Sequence, residues 1–458
     1  MAQPTLLPEE AKKHADAASD PNPDTARQAP DWLSNGIVYQ LWLRSFTPEG
    51  TLAAAEQRLA DIASLGATIV YLSPVMLSDD DDRREFWSMR QKASANCNPR
   101  NPYRAKDYDK IDPEYGDEKD LARFIATAHR YGLRVMMDLV FLHCGPNCTL
   151  LQKPGFIQRN EDGSPKLGGW NFPLLNFESK ELRQYLTDNM VHWVKAFNVD
   201  GFRADVSGVI PQDFWEDARD VLEELRPDIG MVAESDYEPR EQIKAFDVSY
   251  SFQWYATILK VMCDSQPATM LREKWEYFRN FYPKGSRFLR YSDNHDLHRA
   301  DVVFGEQGIK AVATMQFMID GIPMIYNGME ISDGTPQDLF SQWPVNWKAA
   351  NLPKQVARRQ WYVDLCKVRQ SRSVFATGQT QWVDHDKDEC VVAFTRQTDD
   401  DKVLCVVSLS NRPVTVTMND CYDSGKILWG DGSIENTDGK SVIKLSGFGS
   451  LVCEVKAE

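Results

Sequence analysis

Apolar residues along this chain follow two alternating rhythms. Short, nearly continuous apolar runs occupy 37–42, 68–72, 134–139, 201–205, 230–234, 246–250, 288–291 and 322–326. Runs of this length without a polar face are what strands buried on both sides require. Between them lie longer segments with apolar residues three and four apart, the spacing of one helix face. The segment 51–65 is closed by Gly66, and 179–197 and 211–225 are further examples. Asp117 is placed to cap a helix with Leu121, Phe124, Ile125 and Ala128 on its apolar face, and Gly132 ends it. Eight strands alternating with helices predict an α/β protein built on a (β/α)8 TIM barrel. After a last helix over 361–372 the rhythm becomes two-residue alternation, at 391–395, 403–409, 414–418, 427–429, 442–445 and 451–455. Turns at Asn411-Arg412-Pro413 and Gly430-Asp431-Gly432 separate some of these segments, so a C-terminal antiparallel β-sandwich is expected. The expected division is an N-terminal arm over 1–33, the barrel over 34–378 with a short inserted domain over 143–177, and the sandwich over 379–458.

The arm carries Pro4, Pro8, Pro21, Pro23 and Pro30 among small and charged residues, too little apolar surface to fold alone, so poor order is expected there. It lacks a basic start followed by an apolar core, and no signal peptide is visible. A net charge of −15 argues against a nucleic-acid or anionic-membrane partner and suits a neutral small molecule. Gln316 and Asp320 interrupt the best candidate for a membrane span. Nine cysteines leave at least one unpaired. Cys144 and Cys148 could pair in an oxidising compartment, but buried small apolar residues are the default.

The densest chemistry lies at 200–206. On a strand Arg203 and Asp205 share one face while Phe202 and Ala204 share the other. A cation two residues before a carboxylate holds it ionised, as a nucleophile requires. One such pair is equally a structural ion pair, but two further strands also end in acids: Val232-Ala233-Glu234 and Tyr291-Ser292-Asp293-Asn294-His295-Asp296. Barrels place their chemistry at these C-terminal strand ends, so the acids point to one site.

Together with Asp138 on the third strand, Asn101-Pro102-Tyr103, and Gly321-Ile322-Pro323 to Gly328-Met329-Glu330 on the eighth, these motifs resemble in order the α-amylase superfamily of retaining α-glycoside hydrolases and transglycosylases. The resemblance implies an enzyme that cleaves α-glucosidic bonds of malto- or isomalto-oligosaccharides or related α-glucans through a covalent glycosyl-enzyme intermediate. A transglycosylase, or an isomerase of sucrose or trehalose type, would use the same site. A non-catalytic binding or ectodomain protein would be expected to have lost an acid. By resemblance Asp205 is the nucleophile, Glu234 the acid/base, and Asp296 the third acid, which holds sugar hydroxyls. His143 and His295 match hydroxyl-binding histidines, Tyr103 a tyrosine that stacks on the sugar, and Asp138 a support that orients Arg203.

The departures also carry information. The family binds calcium through an asparagine and an aspartate whose places are taken here by Leu142 and Leu174, so no cofactor and no metal at that position is expected. Val206 follows the nucleophile position, as in members acting on α-1,6 bonds. The connection after the second strand carries an extra stretch, 79–98. Its four aspartates, Asp79 to Asp82, are expected to be solvated, and Phe86-Trp87 to offer a stacking surface for a sugar.

Overall fold

Strands buried on both faces need apolar residues throughout, and the barrel meets that demand almost completely. The computed structural model describes residues 21–94 and 96–456. Its barrel strands are β1 Val38–Leu41, β2 Ile69–Leu72, β3 Arg134–Leu139, β4 Gly201–Ala204, β5 Gly230–Ala233, β6 Val248–Ser249, β7 Leu289–Arg290 and β8 Ile322–Tyr326, and only Arg134 among these residues is not buried. They pair in parallel in the order β6-β5-β4-β3-β2-β1-β8-β7. A parallel bridge between Ser249 and Phe288, with the Ser249 N–H donating to the Arg287 carbonyl at 3.0 Å, joins the ends into a closed barrel. The connections carry helices as expected, and the one after β2 also holds an antiparallel pair of strands, Met76–Ser78 and Ala105–Ile111. Residues 51–65 form two helices, Leu52–Glu56 and Leu59–Leu65, because Arg58 leaves helical geometry (φ −105°, ψ 1°). Asp117 and Asp120 form a reciprocal capping box on the helix Glu118–Arg130.

The expected disorder of the arm does not hold for its described part. The Asn22 N–H donates to the Asn280 carbonyl at 2.7 Å, that of Ala26 to Lys284 at 2.9 Å, and that of Arg27 to Gln242 at 2.8 Å. The Arg27 guanidinium pairs with Asp247 at 2.8 Å and with Glu223. Trp32 then reaches the N-terminal end of the barrel, where its indole N–H donates to the Asp228 carbonyl at 2.8 Å. Gly230 is required there, because a Cβ would lie 2.6 Å from the Trp32 ring. Counting apolar residues missed these anchors, which are backbone hydrogen bonds, one guanidinium and one indole. Residues 1–20 of the expected arm lie outside the described residues.

The C-terminal strands are β9 Gln379–Trp382, β10 Val391–Gln397, β11 Lys402–Ser408, β12 Val414–Thr417, β13 Ser424–Gly430, β14 Ser433–Thr437, β15 Lys440–Leu445 and β16 Ser450–Val455. They form one antiparallel sheet, β9-β10-β11-β16-β13, and a second, β12-β15-β14. Val391, Ala393, Leu404, Val406, Ile443 and Leu451 fill the space between the sheets. The alternate residues Val392, Phe394, Val403, Cys405 and Val407 belong to the barrel's core, so the first sheet is buried on both faces. The two strands absent from the sequence expectation, β9 and β14, are largely exposed and carry few apolar side chains.

Below β4, Asp200 is a fully buried carboxylate with four partners: His129 Nε2 at 2.7 Å, Arg134 Nη1 at 2.7 Å, Arg226 Nη2 at 2.6 Å and the Val135 N–H at 2.8 Å. Burial pushes its pKa up, but these partners more than offset that and hold it below the usual value. Removing one member of a buried ionic network leaves uncompensated charge, so Asp200→Ala is expected to lower stability by about 3–5 kcal/mol, read from urea unfolding at neutral pH. Because the folded pKa is depressed, this stabilisation is complete above the ordinary carboxylate range. It is lost as pH falls through the folded value, so the difference between wild type and variant should shrink in acid.

Candidate active site

Four strands deliver acids to the open end of the barrel. Asp138 lies on β3, Asp205 directly follows β4, Glu234 directly follows β5, and Asp296 lies in the loop after β7. Arg203, on β4, is wholly buried among them. Its Nη1 donates to Asp138 Oδ1 at 2.7 Å and to Asp205 Oδ1 at 2.8 Å, and Nη2 lies 2.5 Å from Glu234 Oε1 as an ion pair without hydrogen-bond alignment. Both carboxyl groups expected to act on substrate therefore sit on one guanidinium. Burial raises the Glu234 pKa well above the usual carboxylate range, Asp205 and Asp296 raise it further, and Arg203 opposes them. Burial likewise pushes Asp138 up to about 7, opposed by Arg203.

The backbone between these acids is unusual. Val206 adopts a left-handed conformation (φ 47°, ψ 40°), rare for a β-branched residue. In that conformation its N–H donates to Glu234 Oε2 at 2.9 Å, so the turn after β4 fixes the carboxyl that follows β5.

On the other side of Arg203 runs an ordered series of hydrogen bonds. Gln40 Nε2 contacts His295 Nδ1 at 2.7 Å, His295 Nε2 contacts the Tyr103 hydroxyl at 2.7 Å, and that hydroxyl donates to Asp138 Oδ2 at 3.0 Å. With the Gln40 amide nitrogen facing Nδ1, the imidazole accepts there and carries its proton on Nε2. Tyr71 also donates to Asp138 Oδ2, at 2.8 Å. Trp42 stacks on His295 (5.2 Å, 5°) and on Tyr103 (6.0 Å, 17°), which fixes both rings. Asp296, 40% exposed, lies 3.2 Å from His295 Nε2. Burial raises its pKa, but His295, Arg90 and Arg203 together pull it down to about 2. His143 donates from Nε2 to the Tyr103 carbonyl at 2.9 Å and lies beside Trp170 and Phe172.

The sequence profile of the alpha-amylase catalytic domain matches residues 14–162 and 167–389. The chain belongs to the alpha-amylase family. It is 23% identical over 437 residues to alpha-amylase MalA of Haloarcula japonica, covering 91% of this chain and 61% of that protein. It is 24% identical over 441 residues to a cyclomaltodextrinase from a Bacillus species, covering 84% and 75%. The fold is shared with the maltogenic alpha-amylase AmyB of Thermotoga neapolitana at a TM-score of 0.82 and 23% identity, covering 93% of this chain and 100% of that one.

By resemblance to the family, Leu142 and Leu174 stand where calcium ligands would be. Leu142 packs against the barrel core, and Leu174 covers Gly168, where a Cβ would meet its Cδ2 at 2.7 Å. Neither offers a side-chain oxygen, so the position does not fit calcium. Among the described residues no group of three or more His, Cys, Asp or Glu is placed to hold a metal ion. Backbone hydrogen bonds join the insertion to its surroundings instead, Leu175 N–H to the Leu142 carbonyl at 3.1 Å and Gly145 to Ala105 at 2.7 Å, and the Cys144 N–H to the Pro173 carbonyl at 3.0 Å ties its two ends together. Cys144 and Cys148 are buried free thiols.

In the aspartate run Asp80 and Asp82 are exposed as expected, and Asp79 departs from expectation. Asp79 is buried, accepting from the Asn147 N–H at 2.6 Å and the Asp81 N–H at 2.8 Å. Arg104, also buried, donates to the carbonyls of Asp79, Asp81, Phe86 and Pro99. This knot holds the 79–94 segment against the insertion. Trp87 is buried and Phe86 lies under Arg83, so the pair is structural rather than an exposed stacking surface. Sequence reasoning also missed Arg90, which pairs with Asp296 and carried no motif signal. Gln40, Trp42 and Tyr71 were legible in principle as polar or aromatic residues in or just beyond buried strands.

Burial lowers the His295 pKa to about 4, against an ordinary value near 6.5. His295 should therefore keep its neutral Nε2–H form down to about pH 5. Its folded pKa lies below the unfolded one, so the neutral fold loses stability as pH falls below the unfolded value and the unfolded chain takes up the proton first. Long-range nitrogen–proton NMR of the imidazole checks this, and a protonation midpoint at 6.5 or above would contradict it.

Proposed function

We propose that this protein is a retaining α-glycoside hydrolase acting on malto- or isomalto-oligosaccharides or related α-glucans. The observation that carries this reading is one buried guanidinium, Arg203, in contact with the carboxyl groups of both Asp205 and Glu234. Asp205 is paired with it through an aligned hydrogen bond, whereas burial and two neighbouring acids keep Glu234 protonated. A nucleophile and an acid are needed at the scissile bond, and the raised pKa of Glu234 suits it to the acid's part. Asp205 attacks the anomeric carbon while Glu234 gives its proton to the departing glycosidic oxygen, and the C–O bond to the leaving sugar breaks. A glycosyl ester on Asp205 remains. Glu234, now ionised and 2.5 Å from the Arg203 guanidinium, takes a proton from water as that water displaces Asp205. Asp296, His143 and His295 hold hydroxyls of the reacting sugar, and Tyr103 stacks on it. Asp138 is a positioning residue acting through Arg203. Relatives named cyclomaltodextrinase and maltogenic amylase support short or cyclic α-glucans as substrates. The insertion needs no calcium, because hydrogen bonds make the connection and leucines occupy the ligand positions.

Incubation with maltose, maltotriose, isomaltose, cyclomaltodextrins and starch, followed by NMR of the first anomer released, tests the reading. Retained configuration is expected, and inverted product would overturn it. Asp205→Asn should abolish turnover with the fold intact. Glu234→Gln should slow it by roughly 10²–10⁴-fold, least with nitrophenyl leaving groups that need little protonation.

Calcium dependence is checked separately. The melting temperature with and without EDTA should be the same, and a fall of many degrees reversed by calcium would show a metal site elsewhere in the chain.

A further inference from the structure

Resting on the hydrolase reading above, we propose that Arg90 closes the glycone side of the catalytic pocket, so that one sugar unit fits there and substrates are cut from the non-reducing end. The residues of the site form a row of contacts running Glu234, Arg203, Asp138, Tyr103, His295, Asp296 and Arg90. The proton donor to the leaving group stands at one end of this row and Arg90 at the other. In the proposed reaction Asp296 holds hydroxyls of the reacting sugar, so Arg90, paired with Asp296, stands beside that sugar.

Arg90 is held there firmly. Its Nη1 pairs with Asp296 Oδ1, and its Nη2 donates to the His295 carbonyl at 3.3 Å. The guanidinium carries five N–H donors, more than these contacts use, so it can also bind a terminal sugar hydroxyl. It projects from the short helix Met89–Ala93, capped by Ser88, whose hydroxyl accepts from the Gln91 N–H at 3.1 Å. The segment around it is tied on both sides of the pocket. On one side Asn171 of the insertion donates to the Trp87 carbonyl at 2.9 Å, and on the other the Ser94 hydroxyl donates to Asp338, in the connection after β8, at 2.8 Å. Arg90 thus stands on a segment braced to both the insertion and the connection after β8.

The experiment compares a nitrophenyl maltoheptaoside whose non-reducing end is free with one whose end is blocked by a 4,6-ethylidene group. Wild type should cleave the blocked substrate at least about 10-fold less efficiently, since a pocket shaped for one unit rejects an added group by that order. Arg90→Ala should bring the two kcat/KM values to within a factor of about 3, while Arg90→Lys, which keeps a cation and much of the bulk, retains most of the discrimination. Asn171→Ala frees that segment at one support and should relax discrimination in the same direction, with Arg90 itself intact. Equal cleavage of both substrates by wild type, or an unchanged ratio in Arg90→Ala, would overturn the proposal and leave the hydrolase reading standing. Failure of wild type to cleave either maltoheptaoside while it hydrolyses isomalto-oligosaccharides would overturn the Arg90 proposal alone, and failure on all of these substrates would overturn both.

Discussion

A guanidinium sealed from water cannot give up its proton, so the charge of Arg203 must be balanced where it lies. Three carboxyl groups surround it, on β3, after β4 and after β5. One cation cannot satisfy three anions, and the excess negative charge appears as protonation. The pKa values of Asp138 and Glu234 are pushed up, chiefly by burial. The proposed acid, Glu234, and the proposed nucleophile, Asp205, thus share one buried cation. The barrel's role is to supply adjacent strands in register, with Asp138 opposite Arg203 and Arg203 opposite Val232, two residues before Glu234.

The barrel was legible because burying a strand on both faces leaves no freedom in composition. All eight apolar runs became strands, displaced by a residue or two at their ends. The acids were legible because each ends such a run. What the sequence concealed is held by backbone or by isolated long side chains. The arm docks through carbonyls and Arg27, and a count of apolar residues is blind to both. Asp79 sits in a row of four acids that looks like solvated surface, yet two backbone N–H groups and Asn147 enclose it. Arg90 lies over 200 positions from Asp296, and only the folded chain brings them together. β14 is exposed and polar, so no burial pattern marked it.

The connection between barrel and insertion illustrates how one physical requirement can be met in different ways. A cation bridges two segments by drawing oxygens to itself. Here the corresponding positions are apolar, and directional backbone bonds with the Asp79–Arg104 knot hold the segments. The same knot reaches the Phe86 carbonyl, four residues before Arg90.

The left-handed turn at Val206 has a consequence for how variation in this site combines. A β-branched residue rests in that conformation only while its surroundings hold it, and one of those holds is the carboxyl of Glu234. Releasing Glu234 therefore also loosens the backbone one residue beyond Asp205, and relaxing the turn frees Glu234. Changes on the two loops do not act independently: their effects combine as those of a single unit, and a sequence drifting at one of the two positions alters which residues are tolerated at the other.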